Sequence, residues 1–232
     1  MTGKINPMTK LDHLVIAAST VEEGVAYIQT VLGVDIPPGG KHPQMGTENH
    51  VMKLGNKTFL EVIAIDHKAA PPPYPRWFGL DDPFVRRELE RSPRLLTWVV
   101  NTDNLAAVKK KSKLDIGNPR NLSRGELEWS FSTPEDGHLL AGGMVPYVIQ
   151  WHNGPSHPSE MMEDRHCCLL NLEIHHPAPA WLRDILSSMD ALSHVTIKPL
   201  PPNTPPFLKS FISTPQGIVT LQSNQTDQKL TS

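Results

Sequence analysis

The sequence predicts an α+β fold built from repeated β-α-β-β-β units with their helices outside the sheet. Three observations carry this. Two apolar, β-type runs, Leu11-Asp12-His13-Leu14-Val15-Ile16 and Phe59-Leu60-Glu61-Val62-Ile63, each embed one metal-competent side chain. One helical segment separates them, and the same order recurs downstream. A turn string also repeats, since Ser130-Phe131-Ser132-Thr133-Pro134-Glu135-Asp136-Gly137 is echoed by Ser210-Phe211-Ile212-Ser213-Thr214-Pro215-Gln216-Gly217. A strand ending in Gln150 or Gln222 follows each copy, as internal repetition would produce.

The first unit, residues 11–70, opens with a strand from Leu11 to Ala17. Ser19 or Thr20 then offers an N-cap, and Glu22 and Glu23 suit the positive end of the helix dipole. Val21, Val25, Ile28, Val31 and Leu32 keep helical spacing up to Gly33, a C-cap. Pro37-Pro38-Gly39-Gly40 reads as a loop, and strands follow at His50 to Leu54 and Thr58 to Ile65 around a Gly55-Asn56 turn. Residues 71–94 are proline-rich and read as a connection in which Trp77-Phe78 forms a lid.

The second unit, residues 95–153, has a strand at Leu95 to Val100 and a helix through Leu105 and Val108 capped by Thr102 or Asp103. Strands at Leu127 to Ser132 and Pro146 to Trp151 complete it. Placing Ser19 on Asp103 sets His13 opposite Thr97, and matching the closing strands sets Glu61 opposite Gln150. A third, partial β-α-β unit spans residues 166–223, with strands at Leu169 to His175, Val195 to Lys198, Leu208 to Ile212 and Gly217 to Leu221 and a helix from Trp181 to Leu192. Residues 1–10 and 224–232 read as disordered tails.

Bulk properties narrow the function. The 232 residues carry 22 basic and 24 acidic side chains, a formal charge of −2. The densest basic run, Lys109-Lys110-Lys111, reads as a solvated helix face, so nucleic acid is not an expected partner. No stretch reaches the roughly 18 apolar residues of a spanning helix, and the polar start lacks a secretory h-region. The only cysteines, Cys167 and Cys168, are neighbours about 3.8 Å apart in Cα, too close for an unstrained bridge. Reduced, buried thiols and a cytoplasmic location are the expectation.

Repeated units with His on the first strand and Glu on the last resemble the vicinal oxygen chelate superfamily, which includes glyoxalase I, extradiol dioxygenases and bleomycin-resistance proteins. Within it the chain is most similar to the glyoxalase-like domain proteins. The strings that carry the resemblance are Leu11-Asp12-His13-Leu14-Val15, Gly39-Gly40-Lys41-His42-Pro43, Gly46-Thr47-Glu48-Asn49, Phe59-Leu60-Glu61-Val62 and Pro146-Tyr147-Val148-Ile149-Gln150-Trp151. The resemblance implies that the units curl into a cupped half-barrel around one pocket, with a divalent ion (Mn, Fe, Ni or Zn) held by first-strand and last-strand side chains. Carried over, the metal ligands are His13, Glu61 and Gln150, while Thr97 stands where an imidazole is expected.

His13, Glu61 and His42 are therefore the candidate catalytic residues, with His42 moving protons. Thr47, Asn49, Thr97, Gln150, Trp77 and Trp98 are the candidate substrate-binding residues. The expected activity is of lyase or isomerase type on a small oxygenated molecule. Two other readings stay open: metal-free sequestration of a small molecule, and metal-free acid-base catalysis in the same pocket. No phosphate loop, nucleophile elbow or Cys-x-x-Cys is present, which removes support from hydride and covalent serine chemistry. A monomer is expected over a homodimer, because the third unit covers a sheet edge.

Overall fold

A computed structural model describes residues 9–152 and 157–224. The tails expected to be disordered fall almost wholly outside these residues. Eight strands form one cupped mixed sheet in the order β2-β3-β4-β1-β5-β8-β7-β6. Its first half holds β1 (Lys10–Ala17), α1 (Val21–Leu32), β2 (Pro38–His42), β3 (Thr47–Lys53) and β4 (Phe59–Ile65). After α2 (Pro83–Arg91), the second half holds β5 (Arg94–Asn101), α3 (Leu105–Lys111), β6 (Asn118–Arg124), β7 (Leu127–Thr133) and β8 (Tyr147–Trp151). The α+β class and the cup are as the sequence and its resemblance imply.

The two halves meet at β1 and β5, which run antiparallel with Leu14 opposite Trp98. Superimposing Lys10–Ala17 on Arg94–Asn101 carries that register onto itself: Lys10↔Asn101 becomes Arg94↔Ala17, and Leu11↔Val100 becomes Leu95↔Ile16. A pseudo-twofold axis thus passes through the Leu14–Trp98 pair and makes Thr97 the counterpart of His13. Each central strand also pairs in parallel with its own unit's last strand, β1 with β4 and β5 with β8. Buried Leu14, Ile16, Leu60, Val62, Trp98, Val100 and Val148 pack the middle of this sheet.

Local chemistry explains the elements. Thr20 caps α1 by accepting from the Glu23 amide, and Gly33 closes it at φ 69, where only glycine is unstrained. The stretch from Pro38, read above as a loop, is instead β2, the outermost strand. Pro38 sits at its first residue on a free edge, the one strand position where a missing N–H costs nothing. β6 and α2 were also not foreseen. β6 is polar along most of its length, with only Leu122 fully buried, so it shows no alternation. α2 starts at Asp82-Pro83 inside the segment read as a connection, and buries Val85 and Leu89. Asn104, not Thr102 or Asp103, caps α3.

The remaining strands, β9 (Cys168–His176), β10 (Thr196–Pro199), β11 (Phe207–Thr214) and β12 (Gly217–Gln222), form a second sheet with α4 (Pro179–Ser188). Its order is β10-β9-β11-β12. Here the unit's first strand lies between its second and third, whereas β1 and β5 pair with their fourth. The shared turn string therefore marks a similar hairpin, β7 to β8 and β11 to β12, but the strands around it are wired differently. Cys167 is buried and Cys168 exposed, both as free thiols, which corrects the expectation that both are buried. No helix among the described residues is long and apolar enough to cross a membrane.

Candidate functional site

The cup holds a narrow cavity that opens to solvent. Its polar lining comes from His13 on β1, His42 on β2, Asn49 on β3, Glu61 on β4 and Arg124 on β6. Aromatic rings from Phe59, Trp77, Phe78, Trp129, Phe131 and Trp151 supply much of the rest. A concave, mostly apolar space with a few converging polar groups is the usual form of a small-molecule site.

His13 is held from behind. Strand alternation alone would send Asp12 and His13 to opposite faces, but a register shift between Leu11 and His13 breaks the ladder at Asp12. Such bulges re-aim side chains. Asp12 Oδ1 thereby lies 2.5 Å from His13 Nδ1. The same carboxylate, fully buried, accepts at Oδ2 from Asn101 Nδ2 at 2.8 Å, Trp151 Nε1 at 2.9 Å and His157 Nε2 at 2.9 Å. Burial opposes its ionisation, yet the hydrogen bonds and charge of His13 and His157 win and hold it below the usual carboxylate range. An ionised Asp12 places the His13 proton on Nδ1. In the neutral imidazole the basic nitrogen is then Nε2, which faces the cavity 3.5 Å from Glu61 Oε2. Phe59 stacks on the His13 ring at 4.4 Å and fixes its plane.

On the opposite wall, Glu61 Oε1 accepts from Asn49 Nδ2 at 2.6 Å, and Asn49 Oδ1 accepts from Arg124 Nη1 at 3.1 Å. Arg124 Nη1 also donates to His42 Nε2 at 3.2 Å. A guanidinium offers donors only, so the His42 lone pair is taken and its proton lies on Nδ1, directed at Thr47 Oγ1 3.1 Å away. Burial, with Arg124 and His13 adding to it, pushes the His42 pKa down to about 3. His42 is thus a neutral bridge with both nitrogens engaged. It joins Thr47 on β3 to Arg124 on β6.

Two glycines make room for that wall. A Cβ on Gly39 would meet Asn49 Oδ1 at 2.4 Å, and one on Gly40, at φ 134, would press on Arg124 Cδ at 3.2 Å. Gly39→Ala is expected to displace the Asn49 amide and cost about 1–3 kcal/mol, read as a lowered midpoint in urea unfolding.

The other expected residues lie elsewhere. The shared axis pairs Val15 with Glu61 and Val99 with Tyr147, so the counterpart of Glu61 is Tyr147, not Gln150. Matching the closing strands by their apolar pattern slips them by three residues, and an odd slip reverses the faces of a strand. Gln150 therefore points away from the cavity and caps α3, its Oε1 accepting from the Leu105 amide at 2.9 Å. Its neighbour Trp151 lines the cavity. Thr97 lies buried below the floor and donates to the Gly143 carbonyl; Trp98, on the other face, donates to that of Met144. Neither lines the cavity. Trp77 and Phe78, expected as a lid, are packed at 3% and 1% exposure. Asp12, Arg124 and His157 were not foreseen.

This donor set does not fit the chelate centre that the resemblance implies. His13 and Glu61 are its only strong ligands, no group of three or more His, Cys, Asp or Glu among the described residues can hold a metal ion, and the second unit supplies none. Arg124 adds a fixed positive charge beside Glu61.

A family model described as Glyoxalase-like domain matches residues 11–189. No curated protein matches the chain. Among solved structures, a hypothetical protein from Staphylococcus aureus has a TM-score of 0.54 at 13% identity, covering 78% of this chain and 74% of that one. A methylmalonyl-CoA epimerase from Mycobacterium tuberculosis has a TM-score of 0.38 at 16% identity, covering 62% of this chain and 88% of that one. One from Streptomyces coelicolor has a TM-score of 0.40 at 14% identity, covering 65% and 98%.

Proposed function

Because the chain belongs to the glyoxalase-like domain family of the vicinal oxygen chelate superfamily, we propose that its cup is an enzyme site for a small carbonyl compound. The reaction is a metal-free proton transfer of isomerase or lyase type. His13 Nε2 takes a proton from the carbon next to the carbonyl and becomes an imidazolium between Asp12 and Glu61. The carbon–hydrogen electron pair moves toward the carbonyl carbon, and the oxygen becomes an enolate facing Arg124. Returning the proton to the same or the neighbouring atom completes an epimerisation or isomerisation; loss of a group β to the carbonyl completes a lyase reaction.

One observation carries this reading: the Asp12–His13–Glu61 chain opens into the same cavity as Arg124. Charges favour it. The cation formed at His13 lies between two carboxyl side chains, and the anion formed on the substrate meets a preorganised guanidinium in a cup walled largely by aromatic rings. The aromatic lining supports an apolar substrate body.

The test is wash-in of deuterium from D2O at the carbon next to the carbonyl, followed by proton NMR over a panel of small ketones, aldehydes and 2-oxo acids. Protein-dependent exchange that survives EDTA and falls in Arg124→Met is expected. Binding of panel members with no exchange in any of them would favour sequestration of an aromatic molecule, to which the ring-lined walls are also suited.

A further inference from the structure

We propose that the indole N–H of Trp77 is the second hydrogen-bond donor for the ligand's oxygen, beside Arg124. The pair then restricts the site to molecules with a carbonyl or enolate oxygen next to an apolar body. The inference rests on the proposed function for the identity of that oxygen, but binding alone can test it.

Trp77 lines the cavity at 3% exposure, and its Nε1 has no hydrogen-bond partner among the described residues. Buried donors in native proteins nearly always have one, so an orphan in a cavity wall points to a partner that arrives with the ligand. The chain meets this need at other indoles: Trp98 donates to Met144 and Trp151 to Asp12. Trp77 is also placed with care. Its short 3-10 turn, Trp77–Gly79, is pinned by Arg76 Nη1 donating to Asp81 Oδ1 at 2.6 Å and by the Gly79 amide donating to the Gly137 carbonyl at 2.8 Å. The turn holds Phe78 at φ 59, a region bulky residues seldom occupy and one that concentrates at functional sites.

The two donors flank one ring. Trp77 meets His42 edge to face, with centroids 5.1 Å apart and planes at 82°. His42 Nε2 in turn accepts from Arg124. His42 therefore spaces the indole and the guanidinium, and its neutral state leaves no competing charge between them. Donors around a developing oxyanion act most when they are fixed beforehand, and both of these are. A ligand lacking an oxygen there would leave the indole N–H unpaired, which is how a polar site rejects a deoxygenated analogue.

The probes are acetophenone, its deoxygenated counterpart ethylbenzene, and benzohydroxamate as an enolate-like anion. Indole N–H signals are recorded by proton–nitrogen NMR, with Trp77→Phe identifying the Trp77 resonance. Acetophenone and benzohydroxamate are expected to move that proton downfield, as a new hydrogen bond does, and ethylbenzene is not. Trp77→Phe, which keeps an aromatic ring, should weaken acetophenone about fivefold and ethylbenzene less than about twofold. An unmoved indole proton on a bound probe, equal weakening of both ketone and hydrocarbon, or no binding at the solubility limit would overturn the proposal. Deuterium exchange in the parent protein separates the two ideas: a shifted indole without exchange upholds this inference and removes the catalytic one.

Discussion

With His13 replaced by Gln, protein-dependent deuterium exchange is expected to fall by about 10²–10⁴-fold, the usual weight of a positioned base. Affinity for acetophenone should change by less than about threefold, because the aromatic walls and Arg124 are untouched. The large effect follows from the lack of a substitute. His42 is the other imidazole lining the cavity, and its lone pair is occupied by Arg124 while burial keeps it neutral down to about pH 3. Glu61 remains, but its Oε1 is tied to Asn49. Exchange within a few-fold of the parent rate in this variant would mean that another group is the base.

Asp12→Ala should cost the most stability of any change in the cup, about 3–5 kcal/mol by urea unfolding. The carboxylate answers His13, Asn101, Trp151 and His157 at once, and its loss leaves four buried or part-buried donors without their acceptor. The pH dependence has a definite sign. A carboxyl whose folded-state pKa is depressed stabilises the fold fully above its unfolded value near 4 and loses that contribution as pH falls toward the folded value. The parent protein should therefore lose stability steeply between about pH 4 and 2, and Asp12→Ala much less so. Catalysis should fall as well, since the imidazole loses the group that selects its tautomer. A variant with a parallel stability-versus-pH curve would place the acid-sensitive carboxylate elsewhere.

The parts of the site that were legible in the sequence are those that obey strand alternation. His13 and Glu61 interrupt apolar runs, and period-two geometry is enough to bring both to one face. Asn49 and His42 were found through strings that the family shares, and Trp77 through the proline-rich stretch before it. What escaped notice breaks the period or lacks it. Asp12 reaches the site only through a bulge, which has no mark in Leu11-Asp12-His13. Arg124 ends a strand with a single fully buried apolar residue, and β6 gains its conformation from pairing with β7. His157 acts from the start of a short 3-10 turn, Pro158–Met161, far along the chain from Asp12. Gln150 misled because its strand matches that of Glu61 in apolar content but not in register, and only the central β1–β5 pairing reveals the true offset.

The central claim is that Asp12 holds the proton on His13 Nδ1 and so presents Nε2 to the cavity as a base. Nitrogen-15 NMR of histidine-labelled protein at neutral pH measures this directly. The account predicts that the His13 ring carries its proton on Nδ1, hydrogen-bonded and slow to exchange, and that Asp12→Asn abolishes this preference. A His13 ring protonated on Nε2 in the parent protein, or one indifferent to Asp12→Asn, would contradict it.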